Sequence, residues 1–286
     1  MRKVMAIRSC LSLSVAVLAL AACGGEAPPE VRPSVQAQTV SSEECVPIAD
    51  GMYEMRDGRL LATSLPPELA ASNPALWAQE IKAGLQGAGI GWLGVVIRDQ
   101  VAVVTGTAPD AEAKAQGFST GRAAIEGHPR AGEANLIIVD GISIEGGEEG
   151  IGVPLANLTG QLTTIESCQA AFDVTSKDRV IQFGAGNANI SPVSLPLIDA
   201  LGGIAALCRA FEIEIGAHTD TRGADDYNQR VSQERADAIR AYLLGKELAE
   251  ETLTAVGYGE TQPIDTGSTA EAHARNRRTV FTVKQR

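Results

Sequence analysis

With 286 residues, the chain is long enough for one large domain or two ordinary ones, and its formal charge at pH 7 is −11. A chain this acidic is repelled by nucleic acid and by anionic headgroups, and no basic run interrupts it. The composition therefore excludes nucleic acid as a partner.

The N-terminus has the pattern of a secretion signal. Basic residues precede a small apolar stretch that is too short for a permanent membrane-spanning helix. The stretch ends in Leu20-Ala21-Ala22-Cys23, which resembles the lipobox of bacterial lipoproteins. The resemblance implies that residues 1–22 are removed, that Cys23 is acylated, and, because Gly24 follows it, that the protein is anchored in the outer membrane and faces the periplasm. An ordinary cleaved signal with an incidental cysteine is the alternative.

Cysteine usage fits an oxidising compartment. Of the five cysteines, one belongs to the leader and Cys23 to the lipid anchor, which leaves three. We pair Cys168 with Cys208, because they would flank a strand and a helix of one domain. Cys45 is then a free or intermolecular thiol.

Residues 23–44 are rich in proline and poor in large apolar side chains, which predicts a flexible tether. A first α+β domain is predicted from residue 45 to residue 147. Asn73-Pro74 opens an amphipathic helix, and two apolar runs on either side of Arg98-Asp99-Gln100 predict a β-hairpin. A second helix and a strand at residues 135–139 follow.

The order helix, hairpin, helix, strand, together with Val101-Ala102-Val103-Val104-Thr105-Gly106-Thr107, resembles a BON domain. Gln100 stands where that pattern usually has glycine. A generic α+β domain is the alternative.

Residues 148–171 are predicted as a linker and a joining helix over 155–171, and residues 172–286 as the C-terminal domain. Helices are predicted to begin at Ser191-Pro192 and at Ala224. The predicted strands of this domain span residues 180–183, 211–215, 253–258 and 279–283. This βαβαββ order predicts an α/β sandwich in which helices pack on a mixed sheet.

The second helix of this domain carries polar residues on its apolar side. Asn228 and Arg235 fall within the arc that Val231 and Ile239 define, and Asp220 ends the strand that feeds the helix. A pocket with one carboxylate and one guanidinium suits a zwitterion. A structural Asp–Arg pair that locks strand to helix explains the same pattern.

Fixed spacings link His218-Thr219-Asp220-Thr221-Arg222-Gly223 to Asn228, Arg235-Ala236 and Asn276-Arg277-Arg278. Together they closely resemble the OmpA-like peptidoglycan-binding domain, from about residue 175 onward. The resemblance implies that Asp220 binds the amino end and Arg235 the carboxyl end of diaminopimelate in the stem peptide, flanked by Thr219, Gly223 and Asn228. Arg277 and Arg278 are expected to close the last strand over the second helix, although the resemblance leaves a role at the rim of the pocket open for one of them.

These patterns predict a non-catalytic tether between the outer membrane and the cell wall, with no metal and no cofactor. One alternative is a subunit of a larger secretion, efflux or stator-like machine with envelope protein partners. The other is a cell-wall enzyme, which would need a metal cluster or a nucleophilic cysteine with a partnered histidine, and the sequence shows neither. His218 could act as a general base, but a lone histidine beside a strand end is more often a hydrogen-bonded spacer.

Overall fold

The computed structural model describes residues 73–147 and 149–286, and before them two short strands. The signal segment, Cys23, the tether and Cys45 lie outside the described residues. The chain divides into two compact units, residues 1–72 and residues 73–286. In the first unit, β1 (Met52–Arg56) pairs antiparallel with β2 (Arg59–Thr63). No helix among the described residues is both long and apolar enough to cross a membrane.

The second unit contains seven α-helices, three short 3₁₀ helices and six strands within its described residues. In chain order the α-helices and strands are α1 (Pro74–Gly87), β3 (Leu93–Arg98), β4 (Val101–Ala108), α2 (Ala111–Glu126), β5 (Ile137–Ile144), α3 (Val153–Thr159), α4 (Ile165–Ser176), α5 (Leu195–Leu207), β6 (Glu212–His218), α6 (Asp225–Leu244), β7 (Leu253–Gly259), α7 (Ala270–Asn276) and β8 (Thr279–Lys284).

The predicted helix, hairpin, helix and strand are all present in the first part of this unit. The Asn73 side chain accepts a hydrogen bond from the backbone N–H of Ala75 and so caps α1, as the Asn-Pro pair predicts. Strands β3 and β4 pair antiparallel, and β4 and β5 pair parallel across α2, which gives the order β3-β4-β5. The assignment of residues 45–147 to a BON-like domain stays a prediction.

Strand β4 is buried on both faces. Val101 and Val103 belong to a core that includes α4, α5 and β6, whereas Ala102 and Val104 belong to a second core beneath α1. The sheet β3-β4-β5 therefore shares a core with the elements that follow it.

A mixed sheet forms the centre of the C-terminal part, in the order β7-β6-β8. Strand β6 runs parallel to β7, with α6 as the crossover, and antiparallel to β8. Helix α6 packs so closely on β7 that Gly257 has no room for a side chain. A Cβ added at Gly257 would lie 2.3 Å from the backbone nitrogen of Gln233. The predicted arrangement of helices packed on a mixed sheet is confirmed.

Three predicted elements differ from the structure. The helix expected to begin at Ser191-Pro192 has a 3₁₀ turn at Pro192–Ser194 without a side-chain cap at Ser191, and its α-helical part begins at Leu195. Residues 180–183 form a single bridge, Phe183 to Ile190, and no sheet strand, because Gln182 uses its backbone groups locally with Ser191 and with the Ser194 hydroxyl. The predicted joining helix over 155–171 is two helices, α3 and α4. Thr164 starts α4 through a reciprocal capping box with Ser167, which interrupts any continuous helix.

The predicted disulfide between Cys168 and Cys208 is confirmed, with the two Cα atoms 6.1 Å apart. It joins α4 to the end of α5. Both cysteines are fully buried. Closing a loop of this length stabilises the fold by about 4 kcal/mol in the chain-entropy account.

Candidate binding site

A cleft of about 390 Å³ opens where β6 ends and α6 begins. This is the edge at which α/β sheets commonly hold ligands. The cleft brings together all five predicted binding residues, Thr219, Asp220, Gly223, Asn228 and Arg235. Its other lining residues are Gly186, Arg222, Tyr227, Val231 and Arg277.

The turn between β6 and α6 gives the cleft its shape. Gly223 has φ +105°, a conformation that side chains disfavour, so glycine is needed to bring the chain from the strand into the helix. The buried Asn228 amide donates to the carbonyls of Asp220 and Arg222, each at 3.2 Å, and to the Glu260 carboxylate at 2.6 Å. These contacts fasten the turn to the first turns of α6.

The Asp220 carboxylate is buried and heavily hydrogen-bonded. One oxygen accepts from the backbone N–H and the Nε of Arg222; the other accepts from Arg222 Nη2 at 2.8 Å and Arg277 Nη1 at 2.7 Å. Burial alone would raise the pKa of Asp220, but the hydrogen bonds from Arg222 and Arg277 outweigh it and hold that pKa well below its usual range. Asp220 is therefore a fixed anion at neutral pH.

Arg235 reaches the cleft from α6. Its Nε donates to the Asn187 carbonyl at 3.2 Å, and its guanidinium lies 5.1 Å from the centre of the Phe183 ring. Burial lowers the pKa of Arg235, yet an arginine stays charged in proteins. Because Asp220 forms its ion pairs with Arg222 and Arg277, the explanation in which Asp220 and Arg235 lock each other in place is wrong.

Thr219 adds a polar atom that the protein leaves unused. Its side-chain oxygen is buried and has no hydrogen-bond partner, although the residue lines the cleft. Buried polar atoms are normally paired, so this unpaired oxygen beside the cleft is an exception.

Arg222 and Arg277 are the charged cleft residues outside the predicted binding set; Gly186 and Tyr227 were not singled out either. The two arginines lie inside the quoted motifs, but Arg277 was expected to close the last strand over α6. Its guanidinium instead contacts Asp220. Three guanidinium groups and one carboxylate thus line the cleft, an excess of positive charge in a chain of net charge −11.

His218 does not line the cleft. Its ring stacks on Tyr258 with centroids 4.9 Å apart, and burial, together with the nearby Arg278 charge, lowers its pKa to about 4. It packs as a neutral ring beneath the strand end. Within the described part of the chain, no three His, Cys, Asp or Glu side chains are grouped so that they could hold a metal ion.

Comparison with known proteins places this domain in a family. The OmpA family profile matches residues 182–277. The peptidoglycan-associated lipoprotein of Haemophilus influenzae is 32% identical over 109 residues, which cover 38% of this chain and 71% of that protein. The chain belongs to the OmpA family.

Other similar proteins are matched over a similar share of the chain. Outer membrane porin F of Pseudomonas fluorescens is 35% identical over 104 residues, which cover 36% of this chain and only 32% of that protein. The crystal structure of a MotB-like protein from Desulfovibrio vulgaris is 28% identical, covers 37% of this chain and 68% of that one, and has a TM-score of 0.34.

Proposed function

We propose that the chain is a non-catalytic outer-membrane lipoprotein that binds peptidoglycan through residues 172–286 and tethers the outer membrane to the cell wall. The observation that carries the proposal is the cleft in which Asp220 and Arg235 lie with Arg277. The OmpA-family relative whose name describes it as a peptidoglycan-associated lipoprotein supports the proposal. So does the lipobox-like sequence that ends at Cys23.

The charges of the cleft match the side-chain end of diaminopimelate, which carries an ammonium and a carboxylate on one carbon. The ammonium would meet Asp220. The carboxylate would meet the terminal nitrogens of Arg235, because its Nε already donates to the Asn187 carbonyl and its guanidinium lies over the Phe183 ring. The buried Thr219 hydroxyl would supply one further hydrogen bond only if it turned toward the ligand.

Sedimentation with purified sacculi tests the binding proposal. The protein should sediment with sacculi whose stem peptides contain diaminopimelate and much less with sacculi whose stem peptides contain lysine, because lysine lacks the second carboxylate. Equal sedimentation with both, or with neither, would refute the binding mode.

Cell fractionation tests the anchor. Wild-type protein should partition with the outer membrane, and Cys23→Ser should appear in the soluble periplasmic fraction because acyl chains supply the membrane affinity. Membrane retention of the variant would contradict a lipid anchor at Cys23.

A second candidate function is a wall-anchored subunit of a larger envelope machine. It is favoured by the helices and sheet of residues 73–147, which have a core of their own and lie outside the family match at 182–277. Stoichiometric co-purification of envelope proteins, lost when residues 73–147 are altered on their exposed face, would support this candidate. If the protein purifies without partners, the tether without a larger assembly is the supported function.

A further inference from the structure

The Asp220 carboxylate has no acceptor site left for an incoming ligand. A carboxylate offers about four lone-pair positions. Four donors occupy them: the backbone N–H, Nε and Nη2 of Arg222, and Nη1 of Arg277. A ligand ammonium therefore reaches Asp220 only if one of these donors leaves.

The Arg222 side chain is the donor that can leave most easily. It is 64% exposed, against 42% for Arg277. Its guanidinium can turn into water at little cost, because most of it is already solvated, although its partner Asp220 is buried. The backbone N–H of Arg222 is fixed by the turn that Asn228 fastens, and so it stays in place.

We infer that the Arg222 guanidinium is an internal occupant of the ammonium site on Asp220, which a ligand ammonium must displace. This inference rests on the proposed function. Arg222 then determines how strongly the cleft favours a ligand with a free ammonium over one without it. A cation that holds Asp220 in the empty cleft also keeps the carboxylate charged and correctly placed for the ligand.

Calorimetric titration of the full chain with two soluble stem peptides tests the inference. Both peptides end in meso-diaminopimelate, and in one of them the side-chain amine is acetylated. The ratio measured is the affinity for the free-amine peptide divided by the affinity for the acetylated peptide. It isolates the contribution of the ammonium, because any loss of attraction for the ligand carboxylate affects both peptides. In Arg222→Gln this ratio should exceed the wild-type ratio by about twofold to fivefold, the range that an exposed ion pair is worth.

Arg275→Gln is the matched control, because Arg275 forms an exposed pair with Asp265 and does not line the cleft. Its ratio should equal that of the wild type. The same ratio in Arg222→Gln as in the wild type, or a lower one, would overturn the inference while leaving the proposed function intact. If neither the wild type nor Arg222→Gln binds the free-amine peptide, the inference and the proposed function are both overturned.

Discussion

At the scale of single residues, the cleft depends on charged groups held in fixed positions. Asp220 is kept ionised by two arginines, and Arg235 is oriented by a carbonyl and an aromatic ring. Such preorganisation lowers the cost of ordering side chains when a ligand binds. The same contacts make Asp220 a source of stability that depends on pH.

We expect Asp220→Asn to lower the free energy of unfolding at neutral pH. In acid, the difference in free energy of unfolding between the variant and the wild type should become smaller. The folded-state pKa of Asp220 lies below its unfolded value of about 3.9, so its contribution is present above that pH and is lost as the pH falls through the folded-state pKa. Denaturant unfolding of both proteins between pH 7 and pH 2 measures the difference. A difference that does not change with pH would show that the charge of Asp220 contributes nothing to stability.

The residues of the cleft were predictable to different degrees. Asp220 and Arg235 follow from charge on an apolar face and from the family motif. The partners of Asp220 do not, because the choice among Arg222, Arg235 and Arg277 depends on the path of a turn and on how the chain after α7 returns to the sheet. Sequence spacing describes neither.

At the scale of elements, helix starts were predicted where a side chain caps the helix, and less well at Ser191-Pro192, where no side chain does so. Asn73 before a proline has a local physical signature, and the structure shows the expected cap. The break between α3 and α4 also has a local signature in the sequence, namely Thr164 followed three residues later by Ser167. The missing strand at 180–183 had none, because a short apolar run does not reveal whether its backbone bonds to a sheet or to a nearby loop.

The outer edge of β8 is covered by one side chain. Gln169 of α4 donates to the Phe281 carbonyl at 2.9 Å and accepts from the Val283 N–H at 2.8 Å, as a neighbouring strand would. An uncovered edge strand is a template for pairing between molecules. Gln169 thus both stabilises the sheet and blocks its extension.

Gln169→Ala should lower the free energy of unfolding by about 1–3 kcal/mol, the net value of two hydrogen bonds, and promote self-association. Denaturant unfolding and analytical ultracentrifugation measure the two effects. Gln116→Ala, at an exposed position of α2, is the control and should change neither. A Gln169→Ala protein as stable and as monomeric as the control would show that the edge needs no cover.

At the scale of the whole molecule, the sheet β3-β4-β5 and the OmpA-family part share a core. Val101 and Val103 of β4 pack with α5 and β6 residues and are fully buried. The uninterrupted apolar run from Val101 to Val104 was a signal of a strand buried on both faces. The sequence did not show which elements would cover the second face, and a boundary near residue 147 remains a prediction.

We expect residues 73–286 to unfold in one cooperative transition because of this shared core. The chain has two tryptophans, Trp77 and Trp92, so fluorescence reports on the part that precedes α3. Hydrogen exchange of β6 amides in the same denaturant series reports on the rest. The two transitions should have one midpoint; well-separated midpoints would mean two independent domains.

Binding and melting measured on the same samples test the peptidoglycan clasp most directly. Asp220→Ala and Arg235→Ala should each remain folded and lose sedimentation with diaminopimelate-type sacculi, because a zwitterion held by one end leaves its other charge unpaired, at a cost of several kcal/mol. Asp237→Ala, an exposed position on the same helix as Arg235, should sediment like the wild type. Folded Asp220→Ala and Arg235→Ala proteins that still sediment like the wild type would contradict the account.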